Sequence, residues 1–146
     1  MVFVVADASL TRPAMSNVLL ALAIAAATAA TPGDVVLSGK VLGASGKGAV
    51  HVALWQADGF LKHPAQEVRV ELGKSPTFRF DVRPGRYALS AFEDLNGNGI
   101  LDMGMFGPKE PCGFWRPFGG WHKPRFDEVA SQFEGETNNA LDIVLK

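Results

Sequence analysis

The chain has 146 residues, a formal net charge of −1 and one cysteine. Its 14 basic and 15 acidic side chains are intermixed, so no basic stripe tracks a phosphate backbone and nucleic acid is excluded as the expected partner. A lone Cys112 cannot form an internal disulfide; it reads as a buried thiol, with an interchain bond as the alternative, and the fold must rest on its core.

The first element is not part of the fold. Residues 17–30 are apolar and rich in alanine, and Thr31-Pro32-Gly33-Asp34 ends the run at once. It is too short for a comfortable membrane-spanning helix and has the form of a secretory h-region, with Ala27-Thr28-Ala29 as the cleavage site. Arg12 supplies a weak basic n-region, and Met15 is an alternative start. The expected organisation is a signal peptide at 1–30 and one domain at 31–146. The domain would work in the periplasm or outside the cell, with no integral membrane span after cleavage. No lipobox cysteine accompanies the apolar run.

After residue 30 the dominant period is two. Val35, Leu37, Gly39 and Val41 share one face of a first strand, and Val50, Val52 and Leu54 one face of a second. Val68, Val70 and Leu72 mark a third, Phe78, Phe80 and Val82 a fourth, and Tyr87, Leu89 and Ala91 a fifth. Leu141, Ile143 and Leu145 alternate in the last. Each run buries one face, and six such runs predict an all-β, two-layer sandwich. Gly-rich residues 43–48 and Asp58-Gly59 read as turns. Pro84-Gly85 predicts a hairpin joining the fourth and fifth strands. Residues 126–132 suggest one or two helical turns.

Residues 96–123 form a long Gly/Pro-rich segment carrying Phe106, Phe114, Trp115, Phe118 and Trp121. A loop of this length in a compact domain is functional or held by something. Its rings either fold back as a satellite core, the favoured reading, or meet a ligand. In the second case Trp115, Phe118 and Trp121 would stack on a carbohydrate or clamp a peptide, and Arg116 and Lys123 would pair with acidic groups.

The sharpest chemistry is Asp94-Leu-Asn-Gly-Asn-Gly-Ile-Leu-Asp102. Side-chain oxygens fall at positions one, three, five and nine, with glycine at six, the spacing of a calcium loop. Asp94, Asn96, Asn98 and Asp102 would offer side-chain oxygens and Ile100 its carbonyl. Position twelve is Met105 rather than a bidentate glutamate, so Glu110, or less readily Glu93, would complete the shell. The absence of His and Cys from this spacing disfavours transition metals. Two loop carboxylates imply modest affinity, nearer about 10⁻⁴–10⁻³ M than that of a tight sensor. The competing expectation is a metal-free series of Asx-turns.

Catalytic signals are weak. His51, His63 and His122 have no zinc-site spacing, no Gly-x-Ser-x-Gly elbow occurs, and Cys112 lacks a catalytic context. A hydrolase built on Glu110 and Asp102 is the remaining enzymatic option. No catalytic residue is assigned.

Pro84-Gly85-x-Tyr87-Ala88, the 94–102 series, Pro108-Lys109-Glu110-x-x-Gly113-Phe114 and Pro124-x-Phe126 together resemble a bacterial family, number 2141 among the domains of unknown function. The resemblance covers residues 34–146. It implies an exported sandwich of transthyretin-like or carboxypeptidase-regulatory-like kind; an immunoglobulin-like strand arrangement fits the same alternation. It implies no activity. Trp115-Arg116 replaces the usual serine and asparagine, and Phe106 stands where the family places glycine, whereas Glu110 matches. The resulting expectation is a non-catalytic extracytoplasmic β-sandwich with a calcium-stabilised loop. Its alternatives are the aromatic binding module and the hydrolase.

Overall fold

The computed structural model describes residues 34–71, 76–120, 122–135 and 138–146. The expected signal peptide, Leu72 and Trp121 lie outside the described residues. In chain order the first strands are β1 (Val35–Leu42), β2 (Ala49–Trp55), β3 (Gln66–Val70), β4 (Thr77–Val82) and β5 (Gly85–Asp94). Short strands β6 (Met103–Gly104), β7 (Gly107–Pro108) and β8 (Cys112–Phe114) follow. A one-turn helix, α1 (Phe126–Val129), precedes β9 (Ser131–Phe133), β10 (Asn138–Asn139) and β11 (Ile143–Val144).

The fold is an all-β sandwich, and alternation decides its layers. In one sheet β4 runs antiparallel to β1, so that Leu37 faces Phe80 and Gly39 faces Phe78; β10 and β11 run parallel along the other side of β1. The second sheet has the order β3-β2-β5-β8, with β9 also pairing to β5. Val35, Leu37, Phe80 and Ile143 from the first sheet meet Val52, Leu54 and Leu89 from the second in one buried cluster. Each such side chain contributes roughly 1.5–3 kcal/mol through removal from water.

Two glycines permit the seam where the C-terminal strand joins both sheets. A Cβ at Gly39 would lie 2.5 Å from the Leu141 carbonyl oxygen, and one at Gly113 would lie 2.1 Å from that of Val144. The Leu145 N–H donates to the Leu42 carbonyl, and the Lys146 N–H donates to that of Cys112. Successive residues thus bond opposite layers, which protects the edges.

Three expectations need correction. Pro84-Gly85 does not close a hairpin, because β4 pairs with β1 and β5 pairs with β2. The turn instead carries the chain from one sheet to the other. The helical reading of 126–132 holds only for Phe126–Val129, since Ser131 and Gln132 pair with β5 as β9. Segment 96–123 is less irregular than expected, for it contains the β6–β7 hairpin and β8, which pairs with β5 from Ser90 to Phe92. The positive φ expected of residues 43–48 occurs at Gly43 and Gly46.

Loop aromatics cover the outer face of the second sheet. Phe114 and Phe118 join Trp55, Phe60 and Phe126 around buried Ala88, Val129 and Ala130. Trp115 packs against the main core, its ring centroid 5.6 Å from that of Phe133. Arg116 donates from its guanidinium to the Ala130 carbonyl at 3.0 Å, tying the loop to the α1–β9 junction. Replacing Trp115 with Ala is expected to lower stability by about 2 kcal/mol, because a partly buried indole leaves a void. Chemical denaturation checks this; unchanged stability would return Trp115 to ligand contact.

Candidate loop site

The 94–102 loop grows directly out of β5. Asp94 ends that strand, is 3% exposed and lies opposite Ala49 of β2. Its Oδ1 accepts N–H bonds from Gly97 at 2.9 Å and Asn98 at 3.2 Å, and its Oδ2 accepts the Gly99 N–H at 2.7 Å. Gly97 and Gly99 both have φ of 76°, where a side chain would strain the turn. One carboxylate thus gathers three backbone donors that would otherwise face outward.

The asparagines repeat the device. Asn96 Oδ1 accepts the Asn98 N–H, and Asn98 Oδ1 accepts the Ile100 N–H. Both side-chain amides donate to the Asp102 carboxylate. Asn96, Asn98 and Asp102 therefore converge at the outer side of the turn, with Asp94 beneath it. Ile100 is exposed and enters this network through its N–H.

Glu110 closes the loop from below. It is 6% exposed; its Oε1 accepts the Leu95 N–H at 2.8 Å and its Oε2 the Asp102 N–H at 3.2 Å. The Lys109 N–H also donates to the Asp102 carbonyl. Glu110 clamps both ends of the turn, so its oxygens reach an ion only with lone pairs left over from the backbone. Glu93 serves a different loop. It points to the opposite face of β5, and its carboxylate accepts from Ser45 N–H, Ser45 Oγ–H, Lys47 N–H and Gly48 N–H.

The charge balance at this end is one-sided. Among the described residues no lysine or arginine side chain forms an ion pair with Glu93, Asp94, Asp102 or Glu110. The nearest basic group is His51, whose Nε2 lies 3.6 Å from Asp94 Oδ2, too far for a hydrogen bond. His51 is buried, stacks on Phe92 and shares Nδ1 with Glu67 at 2.8 Å, which leaves Nε2 without a hydrogen-bond partner. The sequence offered only a weak signal for this contact: His51 stands out of phase with Val50 and Val52, on the outer face.

Burial alone would raise the Glu93 pKa, but bonds from Ser45, Gly48 and Lys47 together outweigh it and hold the carboxyl below its ordinary value. Asp94 behaves likewise: burial raises it, while the Gly99, Gly97 and Asn98 N–H groups, with His51, bring it lower. Depressed folded-state values mean that both carboxylates stabilise the fold above the ordinary carboxylate range. That contribution is lost as pH falls through their folded values. Denaturation curves should therefore show stability falling below about pH 4. A flat profile there would show that these bonds are also made in the unfolded chain.

Among the described residues no three His, Cys, Asp or Glu side chains converge as a metal-binding group. An ion at this turn would depend on amide and carbonyl oxygens beside Asp94 and Asp102, a donor set for a hard cation such as calcium. The histidines do not meet: His51 engages Glu67, and His122 engages Glu128. Cys112 is half-buried, and burial pushes its thiol pKa up. A shallow cleft elsewhere lies between Gln56–Asp58 and Arg86, Phe126 and Asp127, and its Arg86 is paired with Asp127 at 2.6 Å.

The family model described as "Uncharacterized protein conserved in bacteria (DUF2141)" matches residues 42–140. The chain belongs to this family. No curated protein and no solved structure matches the chain. For this DUF2141 protein the matched span includes the whole 94–102 loop, the Glu110 clamp and the β6–β7 hairpin between them. Among the described residues no helix is long and apolar enough to cross a membrane.

Proposed function

We propose that this protein is an exported, non-catalytic β-sandwich, working in the periplasm or outside the cell, whose 94–102 loop takes up a calcium ion. The observation that carries this reading is the uncompensated charge. Asp94, Asp102 and Glu110 all bond to the 94–102 loop without a lysine or arginine partner among the described residues, and Asn96, Asn98 and Asp102 converge on its exposed side. Like charges in a partly buried site raise the local concentration of cations. Asp94 and Glu110 have already fixed the backbone, and an ion at the turn would displace the side-chain amides of Asn96 and Asn98 from Asp102. Exposed bonds of that kind are worth about 0.5–1.5 kcal/mol each.

A metal-free loop is the second reading. It is favoured by the fact that both Asp94 oxygens and both asparagine oxygens already accept N–H bonds. Thermal denaturation separates the two. With a dissociation constant of about 1 mM, about 10 mM calcium stabilises the native state by roughly 1.4 kcal/mol, because the unfolded chain cannot gather the same oxygens. The melting temperature should rise in calcium and not in an equal ionic strength of sodium. Equal curves would leave the loop a self-bonded turn.

A further inference from the structure

The strongest unexplained feature is the β6–β7 hairpin. Its two strands pair with each other and with no other strand among the described residues. Its two-residue turn is Met105-Phe106, where the residues Asn and Gly are the ordinary choice. Met105 is 91% exposed and Phe106 98%, and Met103, Ile100 and Leu95 add exposed apolar surface along the same segment. Lys109 lies along the stem, with its Cε and Cγ 3.3 Å from where a Cβ on Gly104 would be.

The geometry points to calcium-dependent docking of this hairpin onto an anionic phospholipid surface, with Met105 and Phe106 entering the acyl boundary. The inference rests on the calcium reading and names the partner of that site. A narrow convex tip enters a deformable apolar layer, whereas a protein partner would need a matching cavity. A lysine on the stem of an apolar tip can extend its ammonium group to headgroup level. Charge supplies the condition. The acidic end beside the hairpin repels anionic headgroups until a cation neutralises it. Calcium takes six to eight oxygen ligands, and any position that Asp94, Asn96, Asn98, Ile100, Asp102 and Glu110 leave unfilled is open to phosphate oxygens.

The test uses the whole protein with vesicles of phosphatidylcholine, with or without phosphatidylglycerol, in millimolar calcium or EGTA. A Phe106→Trp variant adds a tip-specific reporter to the three native tryptophans. Brominated acyl chains should quench it beyond the wild-type background only with phosphatidylglycerol and calcium together. A Met105→Ser/Phe106→Ser double variant should keep its melting temperature and its calcium response, yet partition to the anionic vesicles at least about tenfold more weakly.

Calcium binding by calorimetry without extra quenching overturns the docking and leaves the ion site standing. Equal partitioning in EGTA, or equal partitioning of the double variant, also overturns it. No calcium binding at all removes both the docking and the ion reading. A dimer that the double variant abolishes, formed without vesicle binding, would assign the tip to a second copy of the chain and overturn the lipid partner.

Discussion

Replacing Glu93 with Ala is expected to destabilise the domain by about 3–4 kcal/mol, the largest loss from any single carboxylate at this end. The side chain is fully buried, and it accepts three backbone N–H groups and one hydroxyl from residues 45–48. Truncation strands those donors beside the core, and an unsatisfied buried polar group costs about 1–3 kcal/mol. Water entering the turn recovers part of that. Glu93→Gln should lose less, since it keeps an oxygen for some donors but forfeits the charge assistance. Urea denaturation at neutral pH checks both, and the gap between Glu93→Ala and wild type should narrow in acid as the wild-type carboxylate protonates. A Glu93→Ala loss below about 1 kcal/mol would mean that the 45–48 turn holds itself.

Asp94→Ala should produce the largest change in the loop itself. Three N–H groups lose their acceptor at once, so hydrogen exchange at Gly97, Asn98 and Gly99 should accelerate by at least about a hundredfold. The calcium response should vanish with it. Asp102→Ala is the informative contrast. Asp102 is half-buried, and its carboxylate receives only the side-chain amides of Asn96 and Asn98. Its loss should leave metal-free exchange at those three amides almost unchanged while removing calcium binding. Parallel behaviour of the two variants, with no calcium response in wild type, would make both carboxylates parts of one self-contained turn.

The division between readable and unreadable features follows from physics. Strands such as Thr77–Val82 announce themselves because a buried face must recur every second residue, and Phe78, Phe80 and Val82 do so. Cys112–Phe114 has three residues of intermediate burial, so it carries no such pattern and exists because β5 leaves an edge to pair with. Pro84-Gly85 specifies a turn, but a turn does not say which sheet the next strand will enter. The Asx spacing of the loop was legible because it is local. Glu110 was singled out by position as a shell residue, yet its bonds to Leu95 and Asp102 depend on how the chain returns after the hairpin. Glu93 is adjacent to Asp94, and only the strand's alternation sends the two carboxylates to different loops. His51 is a lone histidine in sequence and meets Asp94 through the pairing of β2 with β5.

The most direct test of the ion reading is a calcium titration followed by amide NMR. Saturable shifts are expected, confined to the 94–102 loop and its Glu110 clamp and largest at Gly97, Asn98, Gly99 and Ile100. The midpoint should fall at about 10⁻⁴–10⁻³ M calcium, and the shifts should be absent from Asp102→Ala. Unmoved loop amides at about 10 mM calcium, or shifts of equal size in Asp102→Ala, would contradict it.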